Sequence, residues 1–317
     1  MTNITDNIIM DDHLINQRTI WAANRFWMET ENMKSKRYGG KSHHHWYLLM
    51  FFLRAFRVLL KLVGKYREGC NNAENIVIRE LKLKFPDLPS KFESFTILHL
   101  SDMHFGCIPG IENIILKQLN NREVDICVIT GDYLEGIHVP INSAIESLRK
   151  ITEGINTRHG FLGILGNHDT CHMVAPMEDL GIRMLINEDY KLCKGSDYIQ
   201  FIGTDDVHYY YTDQAMHALE KSGSDFSIAL IHSPEIYDLA EKMEINLYLC
   251  GHTHGGQVCL PGGTPIIKHL NRGKQFNRGY WRYRNMQGVT NCGAGTSGIP
   301  VRFNTQGELL ILKLQRG

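Results

Sequence analysis

The chain has 317 residues, of which 43% are hydrophobic and 21% are charged, a composition that excludes a largely disordered protein. Lysine plus arginine equals aspartate plus glutamate at 34 each, so the formal net charge is zero. No overall field therefore attracts nucleic acid or a membrane, and any such affinity must be local.

The cysteines and the first residues bear on the compartment of the protein. The eight cysteines contain no CxxC pair, and a chain of this length builds its own core, which favours reduced thiols in the cytosol. The opening stretch carries Asp6, Asp11 and Asp12 and no apolar segment, so we expect no secretory signal.

Residues 1–72 are predicted to form a segment separate from the rest of the chain. The first forty residues are polar and mixed in charge, which is typical of a tail or a loosely packed helix, and we assign no chemistry to them. The histidine tract 43–45 favours a solvated linker, because three adjacent side chains cannot all face one ion.

Residues 46–65 have the pattern of an amphipathic helix, with one basic stripe and broad aromatic and aliphatic faces. The longest uncharged run, 46–53, falls far short of the roughly 20 residues that span a bilayer. The pattern predicts a helix lying in the plane of a membrane interface. The alternative is a helix packed on the folded domain with its basic edge in water. The stripe consists of Arg54, Arg57, Lys61 and Lys65.

From residue 75 onward, apolar runs alternate with amphipathic stretches, which predicts a layered α/β domain over residues 73–317 with sites at strand ends. Predicted strands lie at 75–83, 95–100, 126–130, 161–165, 198–202, 226–231, 246–250, 289–292 and 308–314. Predicted helices lie at 111–120, 141–152, 176–180, 213–221 and 235–242.

The strand 95–100 is followed by Asp102 and His104, a carboxylate and an imidazole in extended chain. One oxygen and one nitrogen ligand suit a borderline divalent metal such as manganese, iron or zinc. Alone this signal is weak, because Asp-x-His also fits a polar strand end with a helix cap.

Four later apolar strands end in the same way, and together they make the signal strong. Buried carboxylates and imidazoles need charge partners or hydrogen bonds, so five such strand ends favour one shared polar site. The polar residues at these four ends are Asp132, the run Asn167 to Asp169, His232, and the pair His252 and His254.

In this order, D-x-H, G-D, G-N-H-D, a lone histidine and G-H-T-H resemble the calcineurin-like metallophosphoesterases, over about residues 75–317. Residues 251–257 and 293–302 are similar to one bacterial branch of that family, whose members are often membrane-attached phosphodiesterases. The branch also resembles the enzymes that cleave UDP-2,3-diacylglucosamine in lipid A synthesis.

The resemblance implies a four-layer α-β-β-α sandwich with a two-metal site above the strand ends. It implies manganese, with iron, zinc, cobalt or nickel as alternatives, since these ligands accept each of them. One metal would be held by Asp102, His104 and His254. The other would be held by Asn167, His232 and His252, with Asp132 bridging the two.

The resemblance also implies a catalytic role for His168, which would stabilise the phosphorus transition state or protonate the leaving oxygen. Glu135 lies where relatives often carry an aspartate that orients this histidine. A plain surface glutamate is the alternative.

Two further stretches are predicted to contact substrate. Residues 268–284 interleave basic and aromatic side chains, and Arg278 and Arg282 are the candidates there. Such a pattern holds single-stranded nucleic acid, a diphosphate, a lipid headgroup or a uracil ring, or lies as a solvated loop. Residues 291–302 contain glycines that let backbone N–H groups approach a phosphate, with Arg302 beside them, or form a tight turn.

We therefore expect a cytoplasmic phosphoesterase, peripheral on the inner face of the cell membrane, that cleaves a phosphodiester or pyrophosphate bond. The first alternative is a UDP-2,3-diacylglucosamine pyrophosphatase, although a branch of those hydrolases carries arginine in place of His168. A nuclease would need a large basic face, and a non-catalytic scaffold would be expected to lose metal ligands. Removal of residues 1–72 is expected to leave hydrolysis of a small soluble diester intact.

Overall fold

The computed structural model describes residues 12–30, 36–37, 40–41, 46–222 and 226–317, and the histidine tract 43–45 lies outside these ranges. The helices are α1 (Asp12–Thr30), α2 (Trp46–Leu62), α3 (Tyr66–Glu74), α4 (Ile111–Leu119), α5 (Asn142–Gly154), α6 (Val174–Asp179), α7 (Asp213–Glu220) and α8 (Tyr237–Lys242). The strands are β1 (Lys36–Arg37), β2 (Gly40–Lys41), β3 (Val77–Phe85), β4 (Thr96–Leu100), β5 (Glu123–Val124), β6 (Ile126–Ile129), β7 (Asn156–Thr157), β8 (Phe161–Gly163), β9 (Ile182–Met184), β10 (Glu188–Lys194), β11 (Asp197–Gly203), β12 (Ser227–Leu230), β13 (Leu247–Cys250), β14 (Gly279–Tyr283), β15 (Met286–Thr290) and β16 (Glu308–Arg316).

Two six-stranded sheets form the centre of the molecule. The first has the order β3-β16-β4-β6-β8-β9 and is parallel except where β16 meets β4. The second has the order β10-β11-β12-β13-β15-β14 and is parallel except at its two outer pairs. The last strand, β16, lies inside the first sheet, so the end of the chain is part of the core.

The inner strands are apolar on both faces because each sheet is covered twice. In β6, Ile126 and Val128 pack in the core between the two sheets, whereas Cys127 and Ile129 pack against the helices outside the first sheet. Helices α4, α5 and α6 cover the first sheet, and α7 and α8 cover the second. The continuous apolar runs that predicted these strands are typical of sheets buried on both faces. The four-layer α-β-β-α prediction is confirmed.

Each predicted strand and helix of the domain is present, with shifts of a few residues at its ends. Three strands of the large sheets were missed: β9, β10 and β14, each at a sheet edge. Edge strands are often short or charged, which disfavours their pairing with other chains. The same features remove the apolar run or alternation by which a strand is predicted. Strand β14 lies within 268–284, where the sequence predicted no regular structure.

Helix α1 corrects the prediction of a tail or a loosely packed helix for the first forty residues. Arg25 is completely buried and Trp21 is nearly so. Arg18, nearer the start of the helix, donates to the carboxylates of Glu178 and Glu188. Helix α1 is therefore docked by charged and aromatic side chains on α6 and on residues at the ends of strands from both sheets. The division at residue 72 stays a prediction.

Helix α2 packs one face on the domain, as the alternative for residues 46–65 predicts, and membrane contact by the helix stays a prediction. Leu53, Phe56 and Leu60 pack with Ile299 and Val301 on the domain. A second face leaves large apolar side chains in solvent, and these recur three, four, seven or eleven residues apart, as on one face of a helix. They are Phe51, Phe52, Val58, Leu59, Leu62 and Val63, of which Leu62 is 79% exposed. In the described part of the chain, no helix has the length and apolar character needed to cross a bilayer.

Candidate metal centre

The carboxyl ends of β4, β6 and β8 in one sheet and of β12 and β13 in the other meet at one edge of the sandwich. They bring together the seven residues predicted as ligands, and each is at most 6% exposed. Burying this many carboxylates and imidazoles is unfavourable unless they are paired or bind a cation. The seven are Asp102, His104, Asp132, Asn167, His232, His252 and His254.

The first group contains Asp102, His104 and His254. The Nε2 atom of His254 lies 3.1 Å from Nε2 of His104 and 3.5 Å from Oδ1 of Asp102. The Nδ1–H of His104 donates to the Leu134 carbonyl at 2.7 Å. That hydrogen bond fixes the tautomer and leaves the Nε2 lone pair directed at the other two ligand atoms, as in metal sites.

The second group contains Asn167, His232 and His252. Oδ1 of Asn167 lies 2.8 Å from Nδ1 of His252 and 3.1 Å from Nε2 of His232. The opposite ring nitrogens donate to backbone carbonyls, His232 to Thr130 at 2.7 Å and His252 to His269 at 2.9 Å. When both imidazoles are neutral, three lone pairs converge at this point, which is an arrangement that a cation satisfies.

Asp132 lies between the two groups. Its Oδ2 is 3.5 Å from Nε2 of His104 in the first group and 3.3 Å from Nε2 of His232 in the second. Its Oδ1 accepts from the backbone N–H of His168 at 2.9 Å. The carboxylate of Asp132 therefore faces a histidine of each candidate ligand group.

The charge states of these groups also fit divalent cations. Burial lowers the pKa of His104 to about 4 and lowers the pKa values of His252 and His254, and neutral imidazole is the form that binds metal. Burial raises the pKa of Asp102 to about 6, and a neighbouring cation would favour its ionised form.

His232 differs from the other histidines in its charge state. Burial opposes its protonation, but the carboxylates of Asp132, Asp102 and Asp206 together outweigh burial and raise the pKa of His232 to about 10. The contact between His232 and Asp132 also holds the pKa of Asp132 well below its ordinary value. A metal at this position takes the place of that proton, so metal binding should release a proton.

The local backbone explains why glycines precede the ligands. A Cβ on Gly131 would lie 2.4 Å from the backbone nitrogen of Gly166, and one on Gly251 would lie 2.1 Å from Oδ2 of Asp102. Only glycine permits loops to approach so closely. Five of the seven candidate ligands have positive φ, a strained backbone that clusters at functional sites. These five are Asp102, His104, Asp132, His252 and His254.

Comparisons with known proteins identify the family. The model of the calcineurin-like phosphoesterases matches residues 95–256, which is half of the chain and contains all seven candidate ligands. The chain belongs to the calcineurin-like phosphoesterase family.

Several family members are similar over most of this chain. An uncharacterized metallophosphoesterase of Bacillus subtilis (strain 168), YkuE, is 29% identical over 74% of this chain and 84% of its own length. One from Helicobacter pylori (strain J99) is 28% identical over 69% of this chain and 59% of its own length. A transmembrane protein with a metallophosphoesterase domain from Bos taurus is 27% identical over 77% of this chain and 58% of its own length. This chain therefore spans little more than half the length of the last two.

Among solved structures, the NAD nucleotidase of Haemophilus influenzae superposes with a TM-score of 0.40 and 13% identity. The superposed region covers 63% of this chain and 51% of the nucleotidase.

Asp169, the last residue of the G-N-H-D motif, stabilises the loops that carry the ligands. Its carboxylate accepts four backbone N–H groups, those of Asp132, Tyr133, Leu134 and Gly166, at 2.8–3.1 Å. It is completely buried and contacts neither ligand group directly. The motif therefore combines a ligand, an imidazole and a side chain that holds the β6 and β8 loops together.

His168 is half-buried beside the first group, with its ring centroid 4.9 Å from that of His104. Its Nδ1–H donates to the backbone carbonyl of Glu135 at 2.8 Å, which leaves Nε2 for substrate. The predicted role of the Glu135 side chain is corrected by this contact. The carboxylate is exposed and hydrogen-bonds the Cys107 thiol, so the residue orients the histidine through its main chain.

The predicted substrate contact at Arg302 is wrong. Its guanidinium is fully buried and donates to the carbonyls of His254, Cys292, Gly293 and Gly295 at 2.7–3.1 Å. These donors are used within the protein, so Arg302 holds the glycine-rich segment under the His254 loop and does not face substrate.

Arg278 and Arg282 are both exposed at the surface. Arg282 lies on the exposed side of the edge strand β14, and Arg278 lies beside Gly263 on the surface. Three neighbouring aromatic side chains, Phe276, Trp281 and Tyr283, pack in the helix layer and are not free to stack on bases. The fourth, Tyr280, is 48% exposed.

Sequence reasoning missed a group of polar residues on the second-metal side. His208 lies with its ring centroid 4.1 Å from that of His252, and its Nδ1–H donates to Glu235 at 2.8 Å. Asp205 and Asp206 follow β11 directly, and both are buried. This strand end carries the same signal as the other five, an apolar strand followed by carboxylates, and it could have been found by that rule.

Proposed function

We propose that this protein is a metal-dependent hydrolase that cleaves a phosphodiester or pyrophosphate bond, with two divalent ions as cofactors. The observation that supports this most is the convergence of two buried ligand groups on one carboxylate, Asp132. Bound metals at these positions would supply a nucleophile at neutral pH and offset the charge of the phosphate oxygens. Manganese is the proposed metal, with iron, zinc, cobalt or nickel as alternatives that the donor set accepts.

The protein's own contribution to the reaction centres on His168. Its Nδ1–H is held by the Glu135 carbonyl, so Nε2 is the atom that faces a leaving oxygen. Its backbone N–H binds Asp132, which ties the imidazole to the metal positions. We assign His168 to general acid catalysis at the leaving group.

A lipid-linked substrate is favoured by the surface beside the second group. The loop that reaches His269, whose carbonyl accepts from His252, carries exposed Leu260, Ile266 and Ile267. Exposed apolar clusters of this kind mark binding surfaces rather than ordinary solvent contact. A UDP-2,3-diacylglucosamine pyrophosphatase is therefore the first alternative. A nuclease is less favoured because Phe276, Trp281 and Tyr283 pack in the helix layer, although Tyr280 stays exposed.

A substrate comparison tests the proposal. The purified protein with manganese is incubated with UDP-2,3-diacylglucosamine, bis-p-nitrophenyl phosphate and single-stranded DNA, and kcat/KM is compared. We expect metal-stimulated hydrolysis of the diester and the highest kcat/KM for the lipid-linked nucleotide. A preparation of Asp132→Asn controls for contaminating hydrolases. Absence of metal-stimulated hydrolysis in all three assays would refute the proposal, and a preference for DNA would favour the nuclease.

We further propose that α2 binds the membrane surface, which would place the protein in the cytoplasm on the inner face of the cell membrane. One face of α2 packs on the domain, so the exposed apolar side chains and the adjacent basic stripe are held together facing outward. Each basic residue near an anionic surface contributes about 1 kcal/mol, and salt screens that contribution. Burial of the apolar side chains adds a part that salt does not screen.

Membrane binding is predicted to depend on the exposed face of α2. The triple variant Phe52→Ser, Leu59→Ser, Leu62→Ser should bind anionic liposomes at least tenfold more weakly than wild type, since about 0.8 kcal/mol is lost per unburied CH₂. Its hydrolysis of a soluble diester should be unchanged, because these side chains are exposed. The measurement is co-sedimentation at low and high salt.

The matched control changes two exposed apolar residues on the preceding helix, α1, by the substitutions Ile15→Ser and Ile20→Ser. Equal liposome binding by both variants would place the contact elsewhere. Deletion of residues 1–72 is not a suitable test, contrary to the sequence expectation, because it also removes the buried contacts of α1.

A further inference from the structure

Helix α1 lies against the segment that carries Asn167 and His168. The Nη2 of Arg25 donates to the carbonyl oxygen of Gly166 at 3.2 Å and to that of Asp169 at 2.9 Å. These two carbonyls immediately flank the candidate metal ligand and the candidate general acid. One guanidinium nitrogen therefore holds both ends of the segment.

The guanidinium is itself fixed on its other sides. Nε donates to Glu29 at 3.0 Å, Nη1 pairs with Asp205, and the cation lies 3.6 Å from the centroid of the Tyr210 ring. Trp21, one turn earlier on α1, donates to the same Asp205 at 2.7 Å. Arg25 is 0% exposed, so its position is determined by protein contacts alone.

Helix α1 extends this contact past the metal-binding segment. Glu29 accepts from the Thr170 hydroxyl at 2.6 Å and from the Cys171 N–H at 2.9 Å. The segment from Gly166 to Cys171 is thus held in two ways. The Asp169 carboxylate accepts from the Gly166 N–H within the segment, and side chains of α1 bind the segment from its other side. Arginine suits this role because its planar fork donates in several fixed directions, which the ammonium of lysine does not.

We infer that Arg25 is a positioning residue for the metal centre, acting through the Gly166–Asp169 segment. It sets the direction of the Asn167 amide oxygen toward the second metal position and of the His168 imidazole toward the reacting phosphate. The matched family model begins at residue 95, so this contact is supplied from outside the family region. The role in orienting His168 rests on the proposed function. The role in orienting Asn167 rests only on the metal site.

The test compares Arg25→Lys with Arg18→Lys in the full chain. Lysine at position 25 keeps a positive charge between Glu29 and Asp205 but cannot bind both carbonyls. We expect Arg25→Lys to bind its second metal about 10–100-fold more weakly, the usual effect of losing a group that orients a ligand, and to lose a similar factor in kcat. Metal content is measured by elemental analysis after dialysis against graded manganese.

Arg18→Lys is the matched control, because Arg18 docks the same helix through Glu178 and Glu188 without contacting the 166–169 segment. It should keep both metals and normal kcat. If Arg25→Lys does not fold, the double variant Arg25→Met, Asp205→Asn replaces it, since position 205 then carries no unpaired charge and Glu29 keeps its hydrogen bonds to Thr170 and Cys171. The double variant should show the same metal loss.

Urea unfolding of each variant separates positioning from simple stabilisation. Lower stability with unchanged metal affinity and kcat would make Arg25 a structural brace and would overturn the inference. Weaker binding of the second metal would support it even if no tested substrate is hydrolysed. A wild-type protein that binds two metals but hydrolyses nothing would refute the proposed function instead.

Discussion

Asp132→Asn is expected to lower kcat/KM by about 10³-fold or more and to reduce the bound metal from two ions to one or fewer. A metal acting on a phosphoryl oxygen contributes several kcal/mol to transition-state stabilisation, and each 1.36 kcal/mol is a factor of ten. Asparagine keeps the oxygen that accepts from the His168 N–H but directs an NH₂ group at His104 and His232. The NH₂ group would occupy the place of a cation, so metal binding by both ligand groups should weaken.

The comparison variants are His104→Asn, which removes a ligand from one group only, and Asp125→Asn. Asp125 is a buried carboxylate at the opposite end of β6, where it accepts from Thr96. We expect His104→Asn to retain more activity than Asp132→Asn and Asp125→Asn to lose stability without losing metal. Elemental analysis and kcat/KM on a soluble diester are the measurements. Two bound metals with near-normal turnover in Asp132→Asn would show that this carboxylate does not bridge.

The ligand positions could be predicted from sequence because each is local. An apolar strand buried on both faces is a strong pattern, and the residue after it lies at the sheet edge wherever the strand is parallel. Asp132 and His232 were found by that rule alone, although they are far apart in the chain. The layered α/β class followed from the same runs, and the four-layer arrangement from the family resemblance. Edge strands such as β10 escaped because their charged residues hide the alternation.

Arg25 could not be predicted, because nothing near it in sequence marks it. It lies on a helix of mixed polarity, and its partners, Gly166, Asp169 and Asp205, are more than a hundred residues away. Arg302 is the opposite case, because the sequence predicted a role in substrate binding that the structure does not support. It follows glycines that suit phosphate binding, yet the tight turn closes over its guanidinium and buries it. Whether a cation faces substrate or backbone carbonyls depends on tertiary packing, which local pattern does not contain.

His168→Ala is expected to keep both metals and to lose about 10²–10⁴-fold in kcat, the usual contribution of a general acid. Metal is retained because Asn167, not His168, directs its side chain at the second group. KM should change little if the imidazole acts mainly in the transition state. His172→Ala is the control, since His172 follows four residues later and its ring packs against Phe26 of α1. Metal loss in His168→Ala would instead make this histidine a ligand.

The leaving group decides between the two roles that the family resemblance left open for His168. A p-nitrophenolate departs without a proton, whereas an alkoxide needs one, so a general acid matters far more for an alkyl ester. We expect the kcat loss of His168→Ala to be at least tenfold smaller with bis-p-nitrophenyl phosphate than with an alkyl diester. Equal losses would mean that Nε2 stabilises the charged phosphoryl group rather than protonating the leaving oxygen. Glu135→Gln should change neither value appreciably, because the Glu135 carbonyl, not its carboxylate, holds Nδ1.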